Sequence, residues 1–233
     1  MKYLVVIPTY NEANNIIVLL EQIIKAYPTV YVLVVDDNSP DGTAKLVKNF
    51  IVKYPARVFI LERAKKLGLG SAYKQAFTWA LAQGYDFVIS MDADESHQVS
   101  DISELMLASL RYDVALASRK IAGGQIVGWN VWRHFTSNSA MGLSRFILRL
   151  KTRDVTAGFK CYSRRFVEFL MSRNIRSDGY AWQIETIFLA EKNNFSIQEV
   201  PTTFIDRRRG KSKLSFKDAF EFFVNVVKLT LKP

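Results

Sequence analysis

The sequence predicts an α/β fold in which helices flank a mostly parallel sheet. Apolar, β-prone runs alternate along the first half of the chain with segments of helical spacing. Turn-forming residues separate these segments, and the 233 residues suffice to bury one sizeable core. Strands that alternate with helices imply right-handed crossovers, which build parallel sheets.

The first half supplies most of the regular elements. Its predicted strands are Tyr3–Ile7, Val30–Val35, Arg57–Leu61, Asp86–Met91 and Asp113–Ser118. Its predicted helices cover residues 11–27, 41–54, 70–84 and 100–110. Asp41 is the expected cap of the second helix.

The second half is less regular. Helices are predicted over residues 130–150, 180–193 and 215–232. The last is amphipathic, with residues such as Phe216 and Phe220 on its apolar face. This pattern predicts packing on the protein's own core or, as the alternative, contact with a membrane surface.

Charge is distributed unevenly between the two halves. Residues 1–111 carry 11 Lys and Arg against 12 Asp and Glu, a net charge of −1. Residues 112–233 carry 21 against 10, a net charge of +11. The basic half is either an ordinary solvated surface or a surface for phosphate groups, of a small substrate or of an anionic membrane.

Three features bear on the location of the protein. Cys161 is the only cysteine, so no internal disulfide can form. The N-terminal segment turns polar too soon for a signal peptide, and no run reaches the ~18 apolar residues of a membrane span. We therefore expect a reducing, cytoplasmic location.

Polar clusters follow three of the predicted strands. PTYNE follows the first strand, DDNSPDG the second and DADESH the fourth. The carboxyl ends of parallel strands lie at one edge of a sheet, where such folds bind ligands. We expect the three clusters to meet at one site.

The DADESH cluster carries two carboxylates, Asp92 and Asp94, at the end of a buried strand. Like charges in an apolar pocket repel each other. Mg²⁺ or Mn²⁺ removes this conflict, because these ions bind one or two carboxylates together with substrate phosphates. The pattern predicts a metal that carries a phosphorylated ligand; the alternative is a pair of surface acids near a turn.

The other clusters offer contacts for a nucleotide. Asp36 and Asp37 suit hydrogen bonds from a base or ribose, or alternatively a helix-capping loop. Tyr10 suits stacking on a base and Glu12 a ligand contact, although this segment also fits simple helix initiation. His97 is either a support for the metal-binding residues or a solvated loop histidine.

The order of these motifs resembles that of a known family. VVIPTYNE, VVDDNSPDGT, KKLGLGSAY, MDADESH and DRRRGKSKLS are similar to motifs of the polyprenol-phosphate glycosyltransferases, and most similar to those of the dolichol-phosphate mannose synthases. The likeness covers about residues 3–215. It implies an inverting family 2 glycosyltransferase with a GT-A fold, that is, a Rossmann-like, mostly parallel sheet flanked by helices, with a C-terminal amphipathic helix.

The resemblance also implies an organisation, a reaction and partners. A single catalytic domain spans residues 1–233, with a nucleotide-binding part over about 1–118 and an acceptor- and lipid-facing part over about 119–233. Mannose passes from GDP-mannose to dolichyl or polyprenyl phosphate with Mg²⁺ or Mn²⁺, on a protein bound peripherally to the cytoplasmic face of a membrane. Some relatives carry membrane spans after the catalytic domain, so a separate membrane subunit is a candidate partner.

Residue by residue, the resemblance assigns a site. Its nucleotide-sugar-binding residues are Pro8, Tyr10, Glu12, Val35, Asp37, Asp92, Ala93, Asp94, Arg119, Arg207 and Lys213. Asp92 and Asp94 are the implied metal ligands. The implied catalytic residues are Asp94, Arg119 and Arg133, the last as the arginine for the acceptor phosphate.

The chain departs from its relatives next to the metal residues. Glu95 stands where relatives usually have leucine, and Ser96 where some have a metal-binding glutamine. The implied chemistry needs no strong general base, because a phosphate monoester with a second pKa near ~6 is largely ionised at neutral pH. Metal would stabilise the diphosphate leaving group, and arginines would hold the phosphates.

Other functions fit the sequence less well. Within the same class, the donor could be UDP-glucose or another nucleotide sugar, or the acceptor a non-lipid. A basic RNA-binding module would carry basic-aromatic motifs, and none is evident, so we expect no nucleic-acid partner. The intact Asp92, Asp94 and Arg119 argue against a non-catalytic protein that retains the fold.

Overall fold

The structure, a computed structural model, describes residues 1–173, 175, 177, 179–206, 226, 227, 229 and 230. The strands are β1 (Tyr3–Thr9), β2 (Val30–Asp36), β3 (Val58–Glu62), β4 (Phe87–Ser90), β5 (Val114–Ser118), β6 (Gln125–Val127), β7 (Lys160–Ser163), β8 (Ile197–Pro201) and β9 (Thr203–Ile205). The helices are α1 (Ile16–Ala26), α2 (Thr43–Ile51), α3 (Leu69–Ala82), α4 (Ile102–Ser109), α5 (Val131–Leu148), α6 (Arg164–Met171) and α7 (Gly179–Lys192).

Among the described residues, seven strands form one sheet in the order β3-β2-β1-β4-β7-β5-β8. Neighbouring strands of this sheet run parallel except where β7 pairs with β4 and β5. A second, two-stranded ribbon pairs β6 with β9 in parallel. The predicted α/β fold with a mostly parallel sheet is confirmed.

Helices cover both faces of the sheet because the strand residues alternate between two apolar clusters. Leu4 and Val6 pack with residues of α3, α6 and α7, whereas Val5 and Ile7 pack with residues of α1, α2 and α4. Val226 is helical and buried in the first cluster, as packing of the C-terminal helix on the core predicts. Most of the predicted helix at 215–232 lies outside the described residues.

The helix boundaries in the first half differ from those predicted. Helix α1 begins at Ile16 rather than near Asn11, whose φ of 62° is left-handed and interrupts a right-handed helix. The N-cap of α2 is Gly42 rather than the predicted Asp41, which lies one residue earlier and accepts the Thr43 N–H on its Oδ1 at 3.0 Å. Helix α2 ends at Ile51, earlier than the predicted residue 54.

Strand β7 was not predicted, and it shapes the second half. It enters the sheet antiparallel between β4 and β5, and the Phe159 carbonyl accepts the Ala117 N–H at 2.9 Å. Residues 119–159 therefore leave the sheet from β5 and return beside the same strand. In the described part of the chain, no helix has the length and apolar character needed to cross a membrane.

Candidate active site

The clusters after β1 and β2 meet at the carboxyl edge of the sheet, as expected. The Thr9 hydroxyl donates to Asp36 Oδ1 at 2.8 Å, and Ser39 donates to the same carboxylate through its hydroxyl and its N–H, at 2.6 and 2.8 Å. Ser39 Oγ in turn accepts the Asn11 N–H at 3.0 Å. The buried Asp36 is thus a link between two loops rather than an open ligand contact.

Asp37 fixes the loop before α3. Its Oδ1 accepts from Arg63 Nη1 at 2.5 Å, and its Oδ2 accepts the N–H groups of Leu67 and Gly68 at 3.2 and 3.3 Å. Arg63 is buried and also donates to Ser71. Asp37 therefore ties the DDNSPDG cluster to the GLGSAY segment, and its assignment to the nucleotide stays a prediction.

Tyr10 and Glu12 lie in the loop after β1. The Lys66 ammonium lies 4.0 Å from the centre of the Tyr10 ring, so the third loop also reaches this edge. Glu12 accepts from the Asn15 side chain at 2.7 Å and donates its N–H to the Thr43 hydroxyl at 3.0 Å. The Ile16 N–H donates to the Glu12 carbonyl at 2.9 Å, so Glu12 belongs to the turn that leads into α1, and a ligand contact of its side chain stays a prediction.

Pro8 and Val35 are partners in the register of β1 and β2. The Val35 side chain is fully buried in the core, whereas Pro8 is half-buried. Ala93 is buried between the two aspartates of the DADESH cluster. These three apolar residues therefore pack at the carboxyl edge of the sheet and offer no charged contacts.

The loop after β4 presents the two aspartates. Ser96 donates to Asp94 Oδ1 through its hydroxyl at 2.5 Å and its N–H at 3.2 Å. Ser96, which stands where some relatives have glutamine, thus holds Asp94 in position. Asp92 and Asp94 are both half-buried, and Glu95 between Asp94 and Ser96 is exposed.

The two aspartates suit a divalent cation that is bound together with a phosphorylated ligand. They supply carboxylate oxygens from one loop, and the Asp92 side chain is 40% exposed. In the part of the chain that the structure describes, no group of three His, Cys, Asp or Glu residues is arranged to hold a metal alone. Mg²⁺ and Mn²⁺ commonly combine one or two carboxylates with substrate phosphates, so the pair suits an ion bound together with a phosphorylated ligand.

His97 supports Asp92, and the alternative of a solvated histidine is wrong. The side chain is buried and stacks on Phe159 with ring centres 4.9 Å apart. Its Nδ1 accepts the Asp92 N–H at 3.2 Å, and its Nε2 lies 3.8 Å from Asp92 Oδ2. Burial lowers the pKa of His97, and the nearby Asp92 and Asp94 carboxylates partly offset this effect. The neutral ring with its proton on Nε2 is therefore the form that matches these contacts.

Arg119 is held by a buried carboxylate. Its N–H, Nε and Nη2 donate to Asp154 at 2.9, 2.7 and 2.6 Å, and Nη2 also donates to Thr156 at 3.0 Å. Burial opposes ionisation of Asp154, but the hydrogen bonds and charge of Arg119 keep its pKa below the usual value. The guanidinium lies 5.3 Å from the centre of the Phe204 ring.

Arg133 lies on the first turn of α5, where Asn130 caps the helix by accepting the Arg133 N–H at 2.8 Å. Its guanidinium lies 4.3 Å from the centre of the Trp129 ring and donates to Asp206 at 2.6 Å. Arg119 lies 5.9 Å from the same Trp129 ring. The structure thus brings two of the predicted arginines to one indole ring; Arg207 and Lys213 lie outside the described residues.

An aromatic contact joins the acidic and basic parts of the edge. The Phe204 ring, on β9, lies 6.0 Å from the His97 ring and 5.9 Å from the Trp129 ring. Sequence reasoning did not find Trp129, Phe204, Asp154 or Asp206 as site residues. The signals were slight, because isolated aromatic residues and single acids in a basic half have no distinguishing spacing.

Comparison with known proteins gives relatives over nearly the whole chain. Glycosyl transferase family 2 matches residues 4–170. A polyprenol monophosphomannose synthase of Mycolicibacterium smegmatis is 41% identical over 213 residues, 91% of this chain and 80% of that protein. An undecaprenyl-phosphate mannosyltransferase of Micrococcus luteus is 37% identical over 228 residues, 98% of this chain and 93% of that protein.

Solved structures share the fold at low identity. Glucosyl-3-phosphoglycerate synthase from Mycobacterium tuberculosis, in complex with Mn²⁺, uridine-diphosphate-glucose and phosphoglyceric acid, has a TM-score of 0.70 at 16% identity, covering 100% of this chain and 80% of that one. A mannosyltransferase from Pyrobaculum calidifontis in complex with GDP-Man and Mn²⁺ has a TM-score of 0.67 at 17% identity, covering 100% and 65%. These likenesses confirm the expected GT-A glycosyltransferase fold.

Proposed function

The chain belongs to glycosyl transferase family 2, and from this premise we propose that it transfers mannose from GDP-mannose to the phosphate of a polyprenyl or dolichyl lipid. The observation that carries the proposal is the meeting of a carboxylate pair, Asp92 and Asp94, with Arg119 and Arg133 through the Phe204 and Trp129 rings. The two aspartates suit a metal-bound diphosphate, and the two arginines suit the phosphate of the acceptor. The names of the two relatives support transfer of mannose to a polyprenol phosphate.

The donor occupies the edge formed by about residues 1–118. Tyr10 and Glu12 contact the nucleotide, and Asp37, held by Arg63, keeps the neighbouring GLGSAY loop in place. Arg207 and Lys213 are assigned to the nucleotide sugar by the sequence resemblance alone. Asp92 and Asp94 would hold Mg²⁺ or Mn²⁺, which would supply positive charge for the departing diphosphate.

The acceptor phosphate binds at Arg133, in the part of the chain after about residue 118. A guanidinium suits this task because it can give two parallel hydrogen bonds to phosphate oxygens. Arg119 lies near the same Trp129 ring, and the Asp154 carboxylate balances its charge and fixes its orientation. This arrangement holds two anions close enough to react without direct repulsion.

The reaction is a single displacement with inversion. An acceptor phosphate oxygen forms a bond to the anomeric carbon as the bond from that carbon to the diphosphate oxygen breaks, so GDP leaves with the electron pair. A phosphate monoester is largely ionised at neutral pH, because its second pKa is near ~6, and it needs no strong base. The buried His97 accordingly serves Asp92, whose N–H it accepts, rather than acting as that base.

The lipid acceptor requires a membrane surface, and we propose that α5 meets it. Five large apolar side chains of this helix are exposed and lie within about 120° of its circumference: Val131, Trp132, Phe135, Leu143 and Phe146. The opposite side packs inward through Met141 and Leu148. Peripheral binding at the cytoplasmic face, alone or with a separate membrane subunit, would set Arg133 at the depth of lipid phosphates.

A donor panel tests the proposal. The protein is incubated with a short polyprenyl phosphate and Mn²⁺ or Mg²⁺, with GDP-mannose, UDP-glucose or other nucleotide sugars in parallel, and products are identified by mass. We expect a lipid-phosphate hexose from GDP-mannose that disappears when a chelator removes the metal. Product formed from UDP-glucose but not from GDP-mannose would show that GDP-mannose is not the donor. Product formed without lipid phosphate would show that the lipid is not the acceptor.

A further inference from the structure

Three side chains, two from the loop after β4 and one from α7, converge on Gly158, just before β7. A Cβ atom at this position would lie 3.3 Å from Asp92 Oδ2, 3.5 Å from His97 Cε1 and 3.6 Å from Gln183 Nε2. The absence of a side chain therefore leaves a small space that a carboxylate and a carboxamide both border. Gln183, on α7, was not among the predicted site residues.

Lys160 fixes the orientation of the Gln183 carboxamide. The Lys160 ammonium donates to Gln183 Oε1 at 2.8 Å and to the Gln183 carbonyl at 3.0 Å, with Thr186 Oγ1 at 3.3 Å. In its protonated form Lys160 has only hydrogens to donate, so it selects the oxygen end of the amide. The NH₂ end is consequently the end that faces Gly158.

If Lys160 served packing alone, its burial would be unfavourable in free energy. It is completely buried, and burial lowers the pKa of Lys160 to about 7. An apolar side chain would fill the same space without desolvating an ammonium. The hydrogen bonds to Gln183 give the lysine a task that accounts for its presence next to the site.

We propose that Gln183 is a specificity residue whose carboxamide donates a hydrogen bond to a hydroxyl of the transferred sugar beside Asp92, and that Lys160 is the positioning residue that orients it. A hydroxyl both donates and accepts, so a carboxylate and an amide NH₂ on one small space complement it. The inference rests on the proposed function, because it requires a sugar carried at the Asp92 edge.

Calorimetric titration with GDP and with GDP-mannose, each in the presence of Mn²⁺, tests the inference. Gln183→Met removes the amide and should weaken GDP-mannose binding by about three- to tenfold, the loss of one neutral hydrogen bond, while leaving GDP within about twofold. Lys160→Met should shift the preference in the same direction by a smaller factor. Gln198→Met is the matched control, since the Gln198 carboxamide donates to the Glu199 carbonyl on β8, and both affinities should stay unchanged.

Gly158→Ala covers the case in which Gln183→Met does not fold. Its Cβ would enter the space itself, 3.3 Å from Asp92 Oδ2, and should weaken GDP-mannose more than GDP. Variants that keep the wild-type preference for GDP-mannose over GDP would overturn the inference and leave the proposed function intact. If Gln183→Met weakened the binding of GDP and of GDP-mannose equally, Gln183 would contact the diphosphate and its assignment to the sugar would be wrong. If the unchanged protein bound neither ligand, the proposed function would fall and the inference with it.

Discussion

The guanidinium of Arg133 donates a hydrogen bond of 2.6 Å to the carboxylate of Asp206. The arginine assigned to the acceptor phosphate therefore already holds an anion, supplied by the first residue of the DRRRGKSKLS motif. Both side chains are about a quarter exposed, so solvent and a competing phosphate can reach the pair.

Arg133→Ala should separate acceptor binding from donor binding. We expect turnover with lipid phosphate to fall about ten- to a hundredfold, because a charge-assisted hydrogen bond to phosphate is lost, while GDP-mannose binding persists. Arg207→Ala should instead weaken the donor complex, and lysine at either position should rescue only in part. Steady-state kinetics in both substrates, with direct donor titration, make the comparison. Equal damage to donor binding by both alanine variants would contradict a two-site division.

Asp206→Asn should have the opposite effect on the acceptor. The amide keeps the size of the side chain but removes the charge that competes for Arg133, so we expect the KM for lipid phosphate to fall about two- to tenfold with little change in donor affinity. Asp113→Asn, which alters a carboxylate paired with Arg165 elsewhere, serves as the control. A raised acceptor KM would show that Asp206 supports the acceptor site rather than competing with it.

Asp94→Asn should abolish the metal-dependent part of donor binding. The amide oxygen can still accept from Ser96, so the loop is retained while the charge is lost. Titration of GDP-mannose with and without Mn²⁺ should show two affinities in the wild type and one in the variant. Glu95→Gln, an exposed neighbour of the same charge, should keep both. Unchanged metal dependence in folded Asp94→Asn would remove Asp94 from the metal site.

The α5 surface should bind anionic vesicles. Replacing Trp132 and Phe146, which are 71% and 82% exposed, by serine should reduce co-sedimentation at least tenfold, since a buried aromatic side chain contributes about 1.5–3 kcal/mol. Higher salt should weaken binding further, because nearby cations each contribute about 1 kcal/mol at an anionic surface. Leu107→Ser, on α4 and 64% exposed, should change nothing. Equal effects of all three replacements would mean that α5 has no special role.

Lys160 should make stability depend on pH. Its folded-state pKa of about 7 lies below the ordinary 10.5, so the unfolded chain binds more protons between these values. The penalty for burying the ammonium is thus full below about pH 7 and is relieved as pH rises, by at most about 1.4 kcal/mol per pH unit. Urea unfolding at several pH values should show the wild type gaining stability relative to Lys160→Met between about pH 7 and 10. A constant difference between the two proteins over this range would mean that Lys160 stays charged.

The first half of the fold was predictable because its elements are local. Each strand from β1 to β5 is an apolar run closed by turn residues, and the three polar clusters follow directly from the chain direction. Strand β7 was not predictable in the same way. Lys160–Ser163 is short, and its place between β4 and β5 depends on pairing with residues distant in the chain.

The site shows the same division. Asp92, Asp94 and Tyr10 follow from sequence position and residue type, because each lies at a strand end. Gln183 and Asp206 do not, since α7 and β9 reach the edge only through tertiary packing. The burial of His97 was likewise not predictable, because it depends on Phe159, which stacks on His97 although the two residues are distant in the sequence.

The pairing of β5 with β7 brings the two ends of one long segment together. The excursion of residues 119–159 starts and finishes at adjacent points of the sheet, closed by the bond between the Ala117 N–H and the Phe159 carbonyl. Inserted segments whose ends lie close together tolerate replacement without disturbing their host. In this segment, however, β6 pairs with β9, Arg133 with Asp206, and Gly158 borders Asp92, so a graft between relatives should change the preference for lipid and for sugar together rather than for lipid alone.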